Sequence, residues 1–591
     1  MKVKLISIFA VFAILMALVA SDVDDFGLKG PGNDSSTDLK DGKPDQKVVM
    51  QMIAKGATIH GTNGINFGPD GNLYVASVVG REIIVMDKLN GVIINRFGPE
   101  VGVQGPDDLV FGPDGSIYWT DIMIGEVGRM TPDGVVTKQL VAPGVNPITF
   151  SPDGRLFVGL CFMGDGLYEL DPELIAPPRP IIEATPENPY PLGFLNAFDF
   201  GPDGRLYGPV FAGGMVISVD VGAPGDPPSL NPWEDGTIQV VATGFTWPAA
   251  TKFDPNNGHL TLLDQTGEVF RIDHLTGAKT LIANLEDGLD NLAFDSDGNL
   301  YISNADHGWI AELLPDGQDR TISPGGMINA QGVAVMQGSD GTDVVFVADF
   351  FRLRTFNGLS GKAGFVYKGH LIPNPTLPVL TMPMTISGDG ENLVISSWFG
   401  NAVQVWNPKT DQVIEHYSMP VPLNAIRFGD DIVVADLGMG GVVWASDHTM
   451  ILPMDGEHVF LPAGLLADKE TLWVADWATG MVWRIVFEGK TPMASVPVAF
   501  GLSNPEGMAL DTDGSLLVME AGAGRISRID PATGAVTVLV DGLTPGMQGP
   551  EGFPPTWGFD GLAVGSAGAV YFTDNANSAL YRIRLRVDLS E

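Results

Sequence analysis

The sequence predicts an all-β chain: two tandem six-bladed β-propellers built from four-stranded blades. Three observations carry this. The chain holds 75 Gly and 44 Pro in 591 residues, a density that long helices tolerate poorly, because Gly costs about 1 and Pro about 3 kcal/mol in a helix interior. A Pro-Asp-Gly-type turn between apolar alternating segments recurs along the chain. The length also exceeds the roughly 250–300 residues at which a single hydrophobic core stops growing. Collagen is excluded because Gly has no period of three. Wholesale disorder is excluded by 45% hydrophobic against 18% charged residues.

The elements follow in order. Residues 1–20, MKVKLISIFAVFAILMALVA, place Lys2 and Lys4 before an apolar run that ends in small residues, the pattern of a secretory signal peptide. An uncleaved anchor is the competing reading. Residues 21–46 are polar, Gly- and Asp-rich and aperiodic, and read as a flexible linker. Residues 47–316 are expected to form the first propeller and residues 317–591 the second.

Twelve similar units carry that division. The clearest are INFGPDGNLYVAS from Ile65, LVFGPDGSIYWTD from Leu109, ITFSPDGRLFVGL from Ile148 and FDFGPDGRLYGPV from Phe198. Weaker copies begin at Thr251, Leu292, Val333, Thr385, Ile426, Leu465, Met508 and Leu562. The mean repeat is about 44 residues, which suits a four-stranded blade. Each copy reads as a strand, a turn, a second strand and a hairpin to a third. The segment Val48–Gly56 is expected to close the sixth blade and Arg320–Ser323 the twelfth, so that strands from both ends clasp each ring and remove exposed edges.

The Asp that ends many second strands (Asp121, Asp264, Asp349, Asp436, Asp476, Asp574) recurs too often for a catalytic group and reads as a repeated structural hydrogen bond. A different position is more informative. Four residues before the apolar residue that precedes each turn stand Asn63, Asp107, Asn146, Asn196, Ala249 and Asp290 in the first six units. Gln331, Met382, Asn424, Pro462, Glu506 and Asp560 take that place in the second six. Equivalent positions face one axis, so these residues predict an oxygen-lined ring at the entrance of the innermost strands. Hard oxygen donors with few His nearby suit Ca²⁺ or another divalent cation ahead of Zn²⁺. Ordered water in a polar channel is the alternative.

The phrases TNGINFGPDG (62–71), GPDDLVFGPDG (105–115), LDNLAFDSDG (289–298) and NPEGMALDTDG (504–514) resemble blades of the gluconolactonase/regucalcin and paraoxonase superfamily, with NHL-repeat kinship. The resemblance implies a channel calcium. It carries Asn63 and the Asp290–Asn291 pair onto the family's Asn-Gly and Asp-Asn ligand motifs, and Glu506 and Asp560 onto its Glu-Gly and Asp-Gly motifs.

Two functions compete at this stage. One is a calcium-dependent hydrolase of a lactone or ester, with Asp290 as ligand or base and His60 or His307 at the channel mouth as catalytic candidates. The other is a non-catalytic module that binds a protein, glycan or small ligand, supported by the duplication, the imperfect second ring and loop aromatics such as Trp398, Phe399, Trp477 and Trp557, for which packing between blades is the alternative. A formal charge of −38 disfavours nucleic acid. No membrane partner is expected after signal cleavage, and the protein is expected to be secreted or periplasmic. The sole cysteine, Cys161, argues against disulfide and thiol chemistry, and no GxSxG, Walker, HExxH or CxxC motif occurs.

Overall fold

The structure, a computed structural model, describes residues 46–371, 379–550 and 554–587. The expected signal peptide lies outside the described residues, as does the expected linker apart from Gln46. Among the described residues the strands form twelve four-stranded antiparallel sheets, with 3₁₀ turns and no α-helix. The chain is all-β and consists of two six-bladed propellers. No helix among the described residues is long and apolar enough to cross a membrane.

The first compact unit runs from Ala57 to Ile328. Its innermost strands are Ile65–Phe67, Pro106–Phe111, Val145–Phe150, Asp199–Phe200, Pro248–Phe253 and Leu289–Phe294. Each lies beside the next, and the sixth returns to the first. That closing seam is apolar and hydrogen-bonded. Ile65, Leu73 and Ile84 of blade one pack against Ala293, Tyr301 and Ile310 of blade six. Ser303 Oγ donates to the Asn63 carbonyl at 2.6 Å, and Ala57 N donates to Met327 O at 2.7 Å.

The second compact unit contains the chain from Asn329 onward and the segment that ends at Gly56. Its innermost strands begin at Val333, Thr385, Pro422, Pro462, Pro505 and Leu562 and form the same closed cycle. Tyr571 Oη of blade twelve donates to Asp343 of blade seven at 3.0 Å across the closing seam.

Strand closure differs from the expectation. The N-terminal strand, Gln46–Lys55, pairs antiparallel with Ala579–Val587 and completes blade twelve, not blade six. The strand Asp319–Ser323 pairs with Trp309–Leu313 and completes blade six, not blade twelve. The reason is strand supply. Every blade of the first propeller draws four strands from contiguous sequence and has no vacancy, whereas blade twelve has only three until the N-terminal strand fills its open edge. The first propeller is therefore inserted between the last strand of the second and the rest of it.

Two repeated devices shape the face on which the innermost strands enter. The turn glycines, such as Gly71 at φ 79°, supply the left-handed residue of each Pro-Asp-Gly turn. The Asp at the end of the second strand pins the segment entering its blade. Asp121 Oδ1 accepts from Gln104 N and Gly105 N at 2.8 Å, Asp264 from Thr246 N and Trp247 N, and Asp476 from Phe460 N and Leu461 N. These carboxylates are structural.

Candidate functional site

In an antiparallel blade the start of the first strand, the end of the second and the start of the third lie at one end, as the pairing of Pro106 with Asp121 and of Asp121 with Glu126 shows. The predicted ring residues stand at that end. In five blades they do more than begin a strand: pairing with the second strand lapses around them. The register shifts across Asp107–Asp108, Asn146–Pro147, Asp290–Asn291 and Glu506–Gly507, and at Ala249. These are β-bulges, which release the residues from regular alternation and re-aim their side chains.

The first propeller gathers Asp107, Asp290 and Asn63 on the side formed by blades one, two and six. Burial raises the Asp107 carboxyl well above the ordinary range, and the carboxylates of Asp290 and then Asp108 raise it further. Asp290 is pushed up to about 7, by burial first and then by Asp108 and Asp306, while a side-chain hydrogen bond with Asn63 opposes the shift. Asn63 Oδ1 also accepts from Val78 N at 3.2 Å. Both residues are half-buried.

Just beneath lies Asp108, which is buried. Its Oδ1 accepts from Leu109 N at 2.9 Å and from Asn291 Nδ2 at 3.2 Å, and its Oδ2 accepts from Ile148 N at 3.2 Å. Burial raises its pKa, and Lys252 provides the largest opposing effect. Lys252 likewise opposes the burial-driven rise of Asp199. Asn291 thus orients Asp108, whereas Asp107 and Asp290 meet across the entrance to blade one.

The remaining predicted members are less committed to the axis. Asn196 Oδ1 accepts from the next residue's own N–H at 2.9 Å, and the Asn146 carbonyl accepts from Thr120 Oγ1 at 2.7 Å. Ala249 is fully buried and interrupts the polar ring at blade five. His60 Nδ1 lies 2.7 Å from the Ile328 carbonyl. A carbonyl only accepts, so Nδ1 carries the proton and Nε2 is the basic nitrogen of the neutral ring. His307 Nδ1 lies 3.7 Å from Glu286 Oε1.

In the second propeller Glu506 and Asp560 are also brought together. Asp560 N donates to Glu506 Oε2 at 2.7 Å, and Trp477 Nε1 donates to Glu506 Oε1 at 3.3 Å. Burial pushes Glu506 up to about 8, against those two hydrogen bonds. Asp560 is raised by burial, then by Glu506 and Asp574, although Gly546 N and Asn575 N donate to its carboxylate. Asn424 Nδ2 donates to Ala463 O at 2.9 Å. The side-chain amide of the fully buried Gln331 has no hydrogen-bond partner among the described residues. Below this layer a cavity of about 310 Å³ follows the inner strands and is lined in part by Asn424 and Asp560. The loop aromatics divide between the two readings, packing and exposure. Trp398 and Trp557 are only 2% and 1% exposed, because their rings stack at 6.3 Å and Trp398 Nε1 donates to Trp557 O. Phe399 and Trp477 stay partly exposed.

Sequence reasoning missed Asp108, Asp306 and Lys252 as members of the first site. The doubled polar residues at 107–108 and 290–291 were the available signal for the bulges. Among the described residues no group of three or more His, Cys, Asp or Glu is gathered as for a metal ion. A cation in the first channel would thus draw on two carboxylates, Asp107 and Asp290, with carboxamide oxygens. That set matches the oxygen chemistry and charge of Ca²⁺.

No protein-family model matches the chain, and no curated protein matches it. Solved structures do. One is the extracellular domain of a one-component system from B. thetaiotaomicron, at 12% identity and TM-score 0.30, covering 92% of this chain and 79% of that one. A second is the PQQ-bound form of an aldose sugar dehydrogenase from Streptomyces coelicolor, at 18% identity and TM-score 0.34, covering 48% of this chain and 99% of that one. A third is described as a gluconolactonase, at 14% identity and TM-score 0.34, covering 47% of this chain and 93% of that one. The functional reading rests on the channel residues.

Proposed function

We propose that the protein acts outside the cytoplasm, secreted or periplasmic, and that its first propeller binds Ca²⁺ and hydrolyses a lactone or ester at the channel mouth. The observation that supports this most is the Asp107–Asp290 pair: two desolvated carboxyls, each raised by neighbouring carboxylates, in a setting that a divalent cation would neutralise. Asp107 and Asp290 would hold the ion, with the carboxamides of Asn63, Asn146 and Asn196 completing an oxygen shell. When bound, a calcium ion supplies Lewis-acid polarisation of a carbonyl.

The chain's own groups carry the proton traffic. His60 Nε2 is the basic nitrogen set by the Nδ1 hydrogen bond to Ile328. It accepts a proton from water as the water oxygen bonds to the carbonyl carbon, then returns that proton to the leaving alkoxide as the ester C–O bond breaks. Metal content of the purified protein, followed by hydrolysis of a lactone panel with and without chelator, tests the reading. Bound calcium with chelator-sensitive turnover supports it, and a metal-free protein refutes it. A second reading, a ligand-binding module without turnover, is favoured by the buried Gln331 side-chain amide at the ring position of blade seven, which has no hydrogen-bond partner among the described residues. Bound calcium without turnover on the panel would select it.

A further inference from the structure

We infer that the second propeller carries a site for a small neutral imide or carboxamide, where blade seven meets blade twelve. The inference rests on the ligand-binding reading and needs neither calcium nor turnover in the first propeller.

The starting observation is a cluster of buried polar side chains. Among the described residues, Asn329 Oδ1 and Nδ2, Gln331 Oε1 and Nε2, and Trp557 Nε1 have no hydrogen-bond partner, and all three residues are buried. Buried donors and acceptors are paired almost throughout folded proteins, so a cluster of this kind calls for a partner from outside the chain. The equivalent position of the first propeller behaves differently, since Asn63 Oδ1 accepts from Val78 N.

The three residues share one place. The Gln331 amide lies against Gly558, where an added Cβ would fall 2.2 Å from Gln331 Cδ and Oε1, and Gly558 follows Trp557. Asn329 N donates to Asp349 Oδ1 at 2.7 Å, and the next residue after Asp349, Phe350, meets the Trp557 ring edge to face at 5.4 Å. Phe350 adopts φ 56°, a conformation uncommon for a bulky residue and found where surrounding structure enforces it. Trp398 stacks on Trp557 and donates to its carbonyl at 2.8 Å. A fixed aromatic wall therefore stands beside two carboxamides. The cavity of about 310 Å³ is lined by Gly332 and Phe559, the residues that follow Gln331 and Gly558, so the channel reaches the edge of the cluster.

The atoms select the ligand class. None of the three side chains is charged, and the ring positions of the two preceding blades hold the acidic Asp560 and Glu506, which disfavour an anion. Each carboxamide brings two N–H groups and one oxygen, and the indole adds one N–H, so donors outnumber acceptors. A cyclic imide has the complementary balance: two carbonyls accept from these N–H groups while its single N–H donates to an Asn329 or Gln331 oxygen. Its flat ring also suits the aromatic wall. A polyol carries an O–H with every oxygen and finds too few acceptors here.

The test uses the full chain in chelator, with calorimetric titration and thermal unfolding against glutarimide, N-methylglutarimide and glucose. Glutarimide is expected to bind and raise Tm, at least about tenfold more tightly than N-methylglutarimide, which lacks only the N–H donor. Gln331→Met and Asn329→Leu should each weaken glutarimide about fivefold or more without lowering the Tm of the ligand-free chain, because each replaces an unpaired polar group by an apolar one of similar size. A chain that takes up no glutarimide would overturn the inference and assign the cluster to ordered water alone. Glutarimide binding that ignores the N-methyl group and both variants would overturn it as well. Uptake of glucose in place of glutarimide would overturn the imide assignment and leave the ligand-binding reading standing.

Discussion

Asn291 Nδ2 lies 3.2 Å from Asp108 Oδ1, although the two residues are 183 positions apart and belong to blades six and two. Blade one stands between them. The hydrogen bond passes over Gly64, where an added Cβ would lie 2.5 Å from Asp108 Oδ1 and 2.6 Å from Asp108 Cα. The Asn-Gly pair at 63–64 therefore has two jobs: Asn63 reaches Asp290, and Gly64 leaves room for Asp108.

Gly64→Ala should consequently destabilise the first propeller by about 1–3 kcal/mol, because the clash involves backbone that cannot swing aside. Gly388→Ala is the matching control, since nothing lies within 4 Å of its would-be Cβ. Denaturant unfolding of both variants checks this, and equal midpoints would refute the steric account.

Asn291→Leu should remove the amide that faces Asp108 and leave a buried carboxylate short of a donor, at a cost of about 1–3 kcal/mol. Asp108→Asn in the same background should recover part of that loss, because the charge that needed the donor is gone. A double-mutant cycle by denaturant unfolding measures the coupling.

The pH dependence has a definite sign. Asp290 and Glu506 have pKa values raised to about 7 and about 8 in the folded protein, above their ordinary carboxylate values. The native state therefore holds more protons than the unfolded state between the two ranges, and stability falls as pH rises through that window. In chelator, Tm should rise on going from pH 8 to pH 5.5. With saturating calcium the trend should flatten or reverse, because the cation favours the ionised carboxylates. Thermal scans across pH, with and without calcium, check both halves.

Removing residues before Ala57 should open the edge of Ala579–Val587 and destabilise the second propeller, leaving the contiguous Ala57–Ile328 unit intact. Limited proteolysis should then release a resistant fragment of the first propeller. Equal resistance of both halves would contradict the strand assignment.

Much of the fold was legible in the sequence, because each blade repeats the same turn chemistry at a nearly constant interval. The closing strands were not. An outer strand has the same alternation whichever ring it joins, and only the count of strands already supplied to each blade decides between them. The candidate site was legible in part. Asp107, Asp290 and Asn63 do converge, since equivalent repeat positions face one axis. The role of Asp108 was hidden, because it depends on a bulge and on a partner two blades away. Nor did the pattern distinguish Trp398 and Trp557, whose rings turn inward, from Trp247, whose ring stays partly exposed.

The most direct test of the central claim is calorimetric titration of calcium into the metal-stripped full chain, compared with Asp107→Asn and Asp290→Asn. The wild-type chain should show a binding event whose affinity falls by about tenfold or more in each variant, with thermal unfolding in chelator confirming that the variants are folded. A wild-type protein that takes up no calcium, or variants with the wild-type isotherm, would contradict it.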